Sequence, residues 1–280
     1  MKSRLNNFSN LQQRIIAGLA GAVGIVAAIL YSEWSFLVVF CLIGAMTQME
    51  FYRLLGLDGS QPLTYYGTAC GVFINVITFL IEKDLIGFRN YFLISPLVTI
   101  IFFIKLYKKK DLKPFMNIAF TFLGIIYVGI PFSLLNVLAL RGNVYNYEII
   151  LGSLLLLWAS DVGAYFAGTY FGKRKLFERV SPKKSWEGAI GGAFSAAIIA
   201  FGLGVYFESH RPWEWYCIGA LIVVAGTLGD LVESLFKRSI AIKDSGSSIP
   251  GHGGFLDRFD GLLLSAPFIV TFVKLFSQSW

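Results

Sequence analysis

Residues 234–261 hold three carboxylates, Asp244, Asp257 and Asp260, and four fixed cations, Lys237, Arg238, Lys243 and Arg258, between two apolar runs. In a chain that is 56% hydrophobic, such a density of charge needs a chemical reason. Ionised groups beside a bilayer are costly and usually mark function. Acids and bases among flexible glycines suit a metal held by carboxylates and a phosphate-bearing ligand held by basic groups and backbone N–H. Asp257 and Asp260 are three residues apart, so one helical turn would present both to a single cation. Mg²⁺ commonly takes one or two carboxylates and fills its shell with water and substrate phosphates. The run Pro250-Gly251-His252-Gly253-Gly254 cannot be regular helix and leaves backbone N–H groups free to approach an anion. His252 there either donates to a phosphate or acts as a neutral spacer.

A second cluster precedes it, Gly172–Glu187, with six basic residues in GKRKLFERVSPKKSWE. Ser181-Pro182 predicts a turn that sets Lys183 and Lys184 side by side, an arrangement suited to a polyphosphate. Trp186 and Glu187 follow at the start of the next apolar run. The plainer reading of the same composition is a basic loop that only fixes membrane topology, which is how Lys108-Lys109-Lys110 reads. Polar residues also enter the apolar runs of the second half. Asp161 interrupts LLLLWASDVGAYFAG near mid-helix, and Asp230, Glu233, Ser234 and Lys237 fall at i, i+3, i+4 and i+7, on one helical face. Lys237 and Arg238 can snorkel to the interface, but Asp230 lies too deep for that. Neither a Ser–His–Asp nor a Cys–His arrangement is visible in the sequence. The clusters therefore describe a headgroup-level site for Mg²⁺ and a polyphosphate, with a second substrate dissolved in the bilayer. Phosphoryl or nucleotidyl transfer by direct in-line displacement fits them, because such catalysis is mostly positioning and charge neutralisation.

These groups must be positioned by membrane helices. A mean hydropathy of +0.66 and 16% aromatic residues exclude an ordinary soluble domain. Nine runs near the length of a span recur, at 15–31, 35–55, 63–81, 91–107, 115–139, 148–171, 188–207, 213–235 and 261–277. The fold class is all-α, a polytopic membrane protein with an N-terminal helical part (1–140) and a catalytic part (141–280) whose loops, 172–187 and 236–260, share one side. With the N-terminus inside, only Lys83, Arg89, Arg141, Arg211 and Lys274 of the 24 lysines and arginines fall outside, so the site loops face the cytoplasm. The net charge of +7 follows from that bias and points to anionic headgroups, not to nucleic acid. The first run reads as a retained span, being longer than a signal core. Cys41, Cys70 and Cys217 read as small packing residues, and His210 as solvated on an outer loop. Gly18, Gly21 and Gly24, like Gly188, Gly191 and Gly192, read as close-packing positions. Pro131 predicts a kink in the fifth span, and Glu50 a partner for Arg53.

The pattern Ser234-x-x-Lys237-Arg238-x4-Lys243-Asp244-x-Gly246, continued by Pro250-Gly251-His252-Gly253-Gly254-x-x-Asp257-Arg258-x-Asp260, resembles the signature of the phosphatidate cytidylyltransferases (CDP-diacylglycerol synthases). DVGAYFAGTYFGK (161–173) and SPKKSWEG (181–188) resemble further segments of that family, in order and distance, so the resemblance covers about 155–265. Ser185 stands where the family often has Thr. The resemblance implies the reaction CTP + phosphatidate → CDP-diacylglycerol + pyrophosphate, at the cytoplasmic face of the inner (plasma) membrane. It implies Mg²⁺, with room for a second metal ion, on Asp230, Asp257, Asp260 and Asp161. It implies Lys183, Lys184, Lys243 and Arg258 as holders of the triphosphate or the lipid headgroup. Ser234 and Lys237 would line the site, and Glu187 would orient Lys184 or a metal-bound water. Asp257, Asp260, Lys243 and Lys237 are the expected catalytic set. CTP, bilayer phosphatidate and membrane lipids are the expected partners, and a homodimer is compatible.

Among rivals, Asp257-x-x-Asp260-Gly261 mimics the start of the CDP-alcohol phosphatidyltransferase motif, but LLLSAPF after it lacks the Ala-Arg and paired Asp that motif needs. A CTP-dependent polyprenol or dolichol kinase is the alternative closest in chemistry. An ion transporter using Asp161 and Asp230 would favour broken helices repeated in both halves, and the acids all lie in the second.

Overall fold

In lipid an apolar run can satisfy its backbone only by hydrogen bonding to itself, so spans of about twenty residues become helices. The computed structural model, which describes residues 10–242 and 253–277, follows the nine predicted runs with nine helical segments. These are α1 (Asn10–Tyr31), α2 (Glu33–Leu57), α3 (Thr64–Glu82), a 3-10 turn (Phe88–Leu93) running into α4 (Ile94–Leu106), α5 (Pro114–Gly124) joined through a π-turn (Ile125–Gly129) to α6 (Ile130–Ala139), α7 (Tyr147–Phe171), α8 (Trp186–Tyr206), α9 (Pro212–Ser239) and α10 (Leu256–Phe276). Eight stretches among the described residues are long and apolar enough to cross a bilayer, and α1 adds the shorter apolar stretch Gly18–Tyr31. Two short antiparallel hairpins, β1–β2 (Leu140–Arg141, Val144–Tyr145) and β3–β4 (Lys175–Phe177, Ser181–Ser185), sit in connections.

The helices that carry the predicted site cross at glycines. A Cβ on Gly163 of α7 would lie 2.6 Å from the Gly191 carbonyl oxygen of α8, and one on Gly192 would lie 2.9 Å from the Ser160 carbonyl oxygen of α7. At the α9–α10 crossing a Cβ on Gly229 would lie 2.6 Å from the Asp260 carbonyl oxygen. Only hydrogen at these positions lets the backbones meet. Gly188, Gly191 and Gly192 therefore pack as predicted. Gly21 and Gly24 do not: a Cβ on either would meet nothing within 4 Å among the described residues. α6 ties the halves together against α10, with the rings of Phe132 and Phe259 5.9 Å apart.

Pro131 acts by widening the helix. It has no N–H to give the carbonyl of Tyr127, four residues back, and its ring crowds that carbonyl. The chain opens into the π-turn Ile125–Gly129 immediately before it. Two polar residues depart from expectation. His210 is buried, 3% exposed, with its ring 5.4 Å from that of Trp215 and its Nδ1 3.0 Å from Ser209 Oγ. Burial holds its pKa below the ordinary imidazole value. The Glu50 carboxylate, read as a partner for Arg53, is 3% exposed and accepts from Phe255 N–H at 3.1 Å and Leu256 N–H at 3.2 Å. It caps α10 from a different helix, because no side chain at the α10 N-cap does so. A carboxylate there satisfies orphan donors and meets the positive end of the helix dipole.

Candidate active site

The site forms where α9 and α10 cross. Asp230, Glu233, Ser234 and Lys237 share the predicted face of α9, and Asp257 and Asp260 occupy the first turns of α10. Oxygens from Asp230, Glu233 and Asp260 all lie within 4.8 Å of one another. Asp260 Oδ1 also accepts the Gly261 N–H at 2.8 Å. Asp161, on α7, lies near enough to feel the charges of Asp230, Lys184 and Arg258. Asp260 in turn feels that of Asp161.

Two lysines enter this acidic knot. Lys237 Nζ sits 2.6 Å from Glu233 Oε2 and 2.7 Å from Asp257 Oδ1. Lys184 Nζ makes an ion pair with Asp230 and donates to the Thr227 carbonyl oxygen at 3.3 Å. Asp257 Oδ2 accepts the Gly254 N–H at 3.1 Å, closing the first turn of α10. The two aspartates predicted to share one cation thus take different neighbours. Asp260 converges with Asp230 and Glu233, while Asp257 is engaged by Lys237 and the Gly254 backbone. On a helix an i, i+3 pair diverges by about 60°, so Asp257 and Asp260 meet different groups of α9.

Glu233 was not assigned a role from the sequence, although its spacing from Asp230 placed it on the same face. Its side chain is 1% exposed, and its Oε1 has no hydrogen-bond partner among the described residues. An oxygen-only donor set with one buried orphan oxygen fits a hard divalent cation such as Mg²⁺.

The basic loop differs from the turn predicted at Ser181-Pro182. Ser181–Ser185 is strand β4, paired with β3. Successive side chains on a strand point to opposite faces. Lys184 therefore turns in to Asp230, while Lys183 is exposed. Glu187, expected to orient Lys184, accepts the backbone N–H groups of Lys173 at 3.0 Å and Arg174 at 3.2 Å, fixing the base of the hairpin. Ser185 caps α8 by accepting from Gly188 N–H. Arg258 is exposed and Ser234 half-buried. Lys243 and His252 lie outside the described residues.

Residues 12–276 match the cytidylyltransferase family. The chain belongs to that family. Within it, the chain is 31% identical over 276 residues to the phosphatidate cytidylyltransferase of Bacillus subtilis, covering 96% of this chain and 99% of that one. It is 42% identical over 171 residues to the phosphatidate cytidylyltransferase of Haemophilus influenzae, and 40% over 162 residues to that of Staphylococcus aureus. Those two matches span 57% and 60% of the relatives' lengths, respectively, and 57% of this chain. For a cytidylyltransferase-family chain, the acids and lysines at the α9–α10 crossing are the groups whose chemistry suits nucleotide transfer.

Proposed function

We propose that the protein makes CDP-diacylglycerol and pyrophosphate from CTP and phosphatidate. The carrying observation is the convergence of Asp230, Glu233 and Asp260 within 4.8 Å, with Lys184 and Lys237 paired into the same cluster, in a chain of the cytidylyltransferase family. An oxygen of the phosphatidate phosphate attacks the α-phosphorus of CTP in line. A P–O bond forms there as the α–β bridging bond breaks, and pyrophosphate leaves with the electron pair.

Asp230, Glu233 and Asp260 would hold a magnesium ion, with Asp161 as a further acid beside them. Mg²⁺ neutralises triphosphate charge when bound. Lys184, Lys183 and Arg258 supply positive charge to the triphosphate and the lipid headgroup. Lys237 holds Asp257 and Glu233 in place, and Ser234 lines the same face. Lys243 and His252 join the phosphate-binding groups on the strength of the motif. The excess of basic residues on this side supports a site facing the cytoplasm from the cell's inner membrane, where CTP and Mg²⁺ are found.

The test is incubation of the purified protein with labelled CTP and Mg²⁺, with phosphatidate in one arm and a polyprenol in the other. A labelled liponucleotide from phosphatidate alone is the expected result. A phosphorylated polyprenol with no liponucleotide would replace this reading by the kinase.

A further inference from the structure

Tyr127 comes from the opposite half of the chain to the motif residues, yet its π-turn packs against α10, which carries Asp260, as well as against α2. Its electrostatic neighbours are Asp260, Glu233 and Asp230. Its ring is held by Phe51 of α2, centroids 5.6 Å apart, and Phe51 packs in turn on Phe236 of α9 at 4.9 Å. The hydroxyl is buried and has no hydrogen-bond partner among the described residues. A buried hydroxyl left unpaired destabilises the fold, so one kept beside a reactive cluster calls for a use. The second orphan of the same cluster, Glu233 Oε1, is an acceptor on a side chain only 1% exposed. The cluster and its aromatic neighbour thus hold one unpaired buried donor and one unpaired buried acceptor among the described residues. The π-turn enforced by Pro131 carries Tyr127, and π-turns turn side chains out of the register of the flanking helices.

We propose that Tyr127 is a substrate-binding residue, its hydroxyl donating a hydrogen bond to a phosphate oxygen of the substrate bound at the Asp230–Glu233–Asp260 cluster. The inference rests on the nucleotidyl-transfer reading. The phosphate belongs either to CTP or to phosphatidate, and both carry the same acceptor. Phenol suits the role because it offers a donor without a charge that would attract the carboxylates.

The variant is Tyr127→Phe, which keeps the ring against Phe51. Three quantities are compared with the wild type: the thermal midpoint of the substrate-free protein, the rise in midpoint on adding Mg²⁺ with CTP or with phosphatidate, and KM for each substrate with kcat. The substrate-free midpoint is expected to stay equal or rise, because an unpaired hydroxyl has been removed. The rise in midpoint should shrink for one substrate, with kcat/KM lower by about tenfold or more, the scale of one lost hydrogen bond to a charged group. A larger KM for CTP assigns the triphosphate, and a larger KM for phosphatidate assigns the lipid. A lower substrate-free midpoint with unchanged kinetics would show that the hydroxyl is structural, pairing with Glu233 in solution, and overturn the proposal. Unchanged values throughout would also overturn it. If the wild type gives neither a midpoint shift nor liponucleotide, it is the underlying transfer reading that fails.

Discussion

At the residue scale, the cluster is a balance of opposite charges, from Glu233 with its side chain 1% exposed to Asp230 at 47%. Lys237 neutralises two carboxylates at once, Glu233 and Asp257, with its own side chain 13% exposed. Removing one partner of such a set strands the others, at about 3–5 kcal/mol. Lys237→Met should thus lower the unfolding midpoint in detergent sharply. Adding Asp257→Asn to it should recover part of the loss, a coupling read directly from the double-mutant cycle. Recovery of nothing would mean Lys237 contributes by packing alone. A second buried pair, Lys105 with Asp111, lies 2.5 Å apart with side chains 0% and 1% exposed. Burial acts to raise the Asp111 pKa, but hydrogen bonds from Lys105, the Lys113 N–H and Asn117 outweigh it and hold the carboxyl below its ordinary value of 3.8. A depressed folded-state pKa contributes stability above the unfolded value, which is lost as the pH falls through the folded one. As the pH falls from about 5 through the folded-state value, the wild-type midpoint should fall more steeply than that of Asp111→Asn. The variant should start lower, since Lys105 is left without its carboxylate. Parallel curves would remove Asp111 from the account of acid stability.

At the element scale, the geometry of the cluster is set by how closely α9 and α10 cross. A side chain at Gly229 would collide with the Asp260 carbonyl oxygen, one residue from Asp230 and on the residue that carries the third acid. Gly229→Val should part the helices locally and cut turnover by about a hundredfold, since misplacement by roughly 1 Å is enough for that. Gly202→Val, where a Cβ meets nothing within 4 Å, is the matched control and should keep near-normal activity. Equal activity in both variants would separate catalysis from the crossing. The same element-level logic explains Glu50. The first two turns of α10 bear Asp257 and Asp260, and a carboxylate from α2 fixes where the helix starts.

At the scale of the whole molecule, the acids and most basic loops gather at one end of the helix bundle. Ion pairs at the other end, such as Lys83–Glu33 at 2.5 Å and Lys274–Glu82 at 3.6 Å, join helix termini and loops away from the cluster. The basic asymmetry gives a direct expectation for orientation. In intact cells, a thiol introduced by Lys109→Cys should resist a membrane-impermeant maleimide, while one at Arg89→Cys should react. A variant background lacking Cys41, Cys70 and Cys217 keeps the readout clean. The reverse pattern would put the site on the outer face, away from CTP.

The sequence by itself determined the helices, because lipid leaves an apolar run no other way to satisfy its backbone, and their period put Asp230, Glu233 and Lys237 on one face. It also carried the family, through residues 234–260 read in a line. Partner choice was not legible there. That Asp260 meets Glu233 while Asp257 goes to Lys237, that strand alternation sends Lys184 inward and Lys183 out, and that Glu50 caps a helix some two hundred residues away all depend on which backbones touch. Those contacts are set by where glycines let helices cross, and a one-dimensional pattern records the glycines without recording what lies across from them.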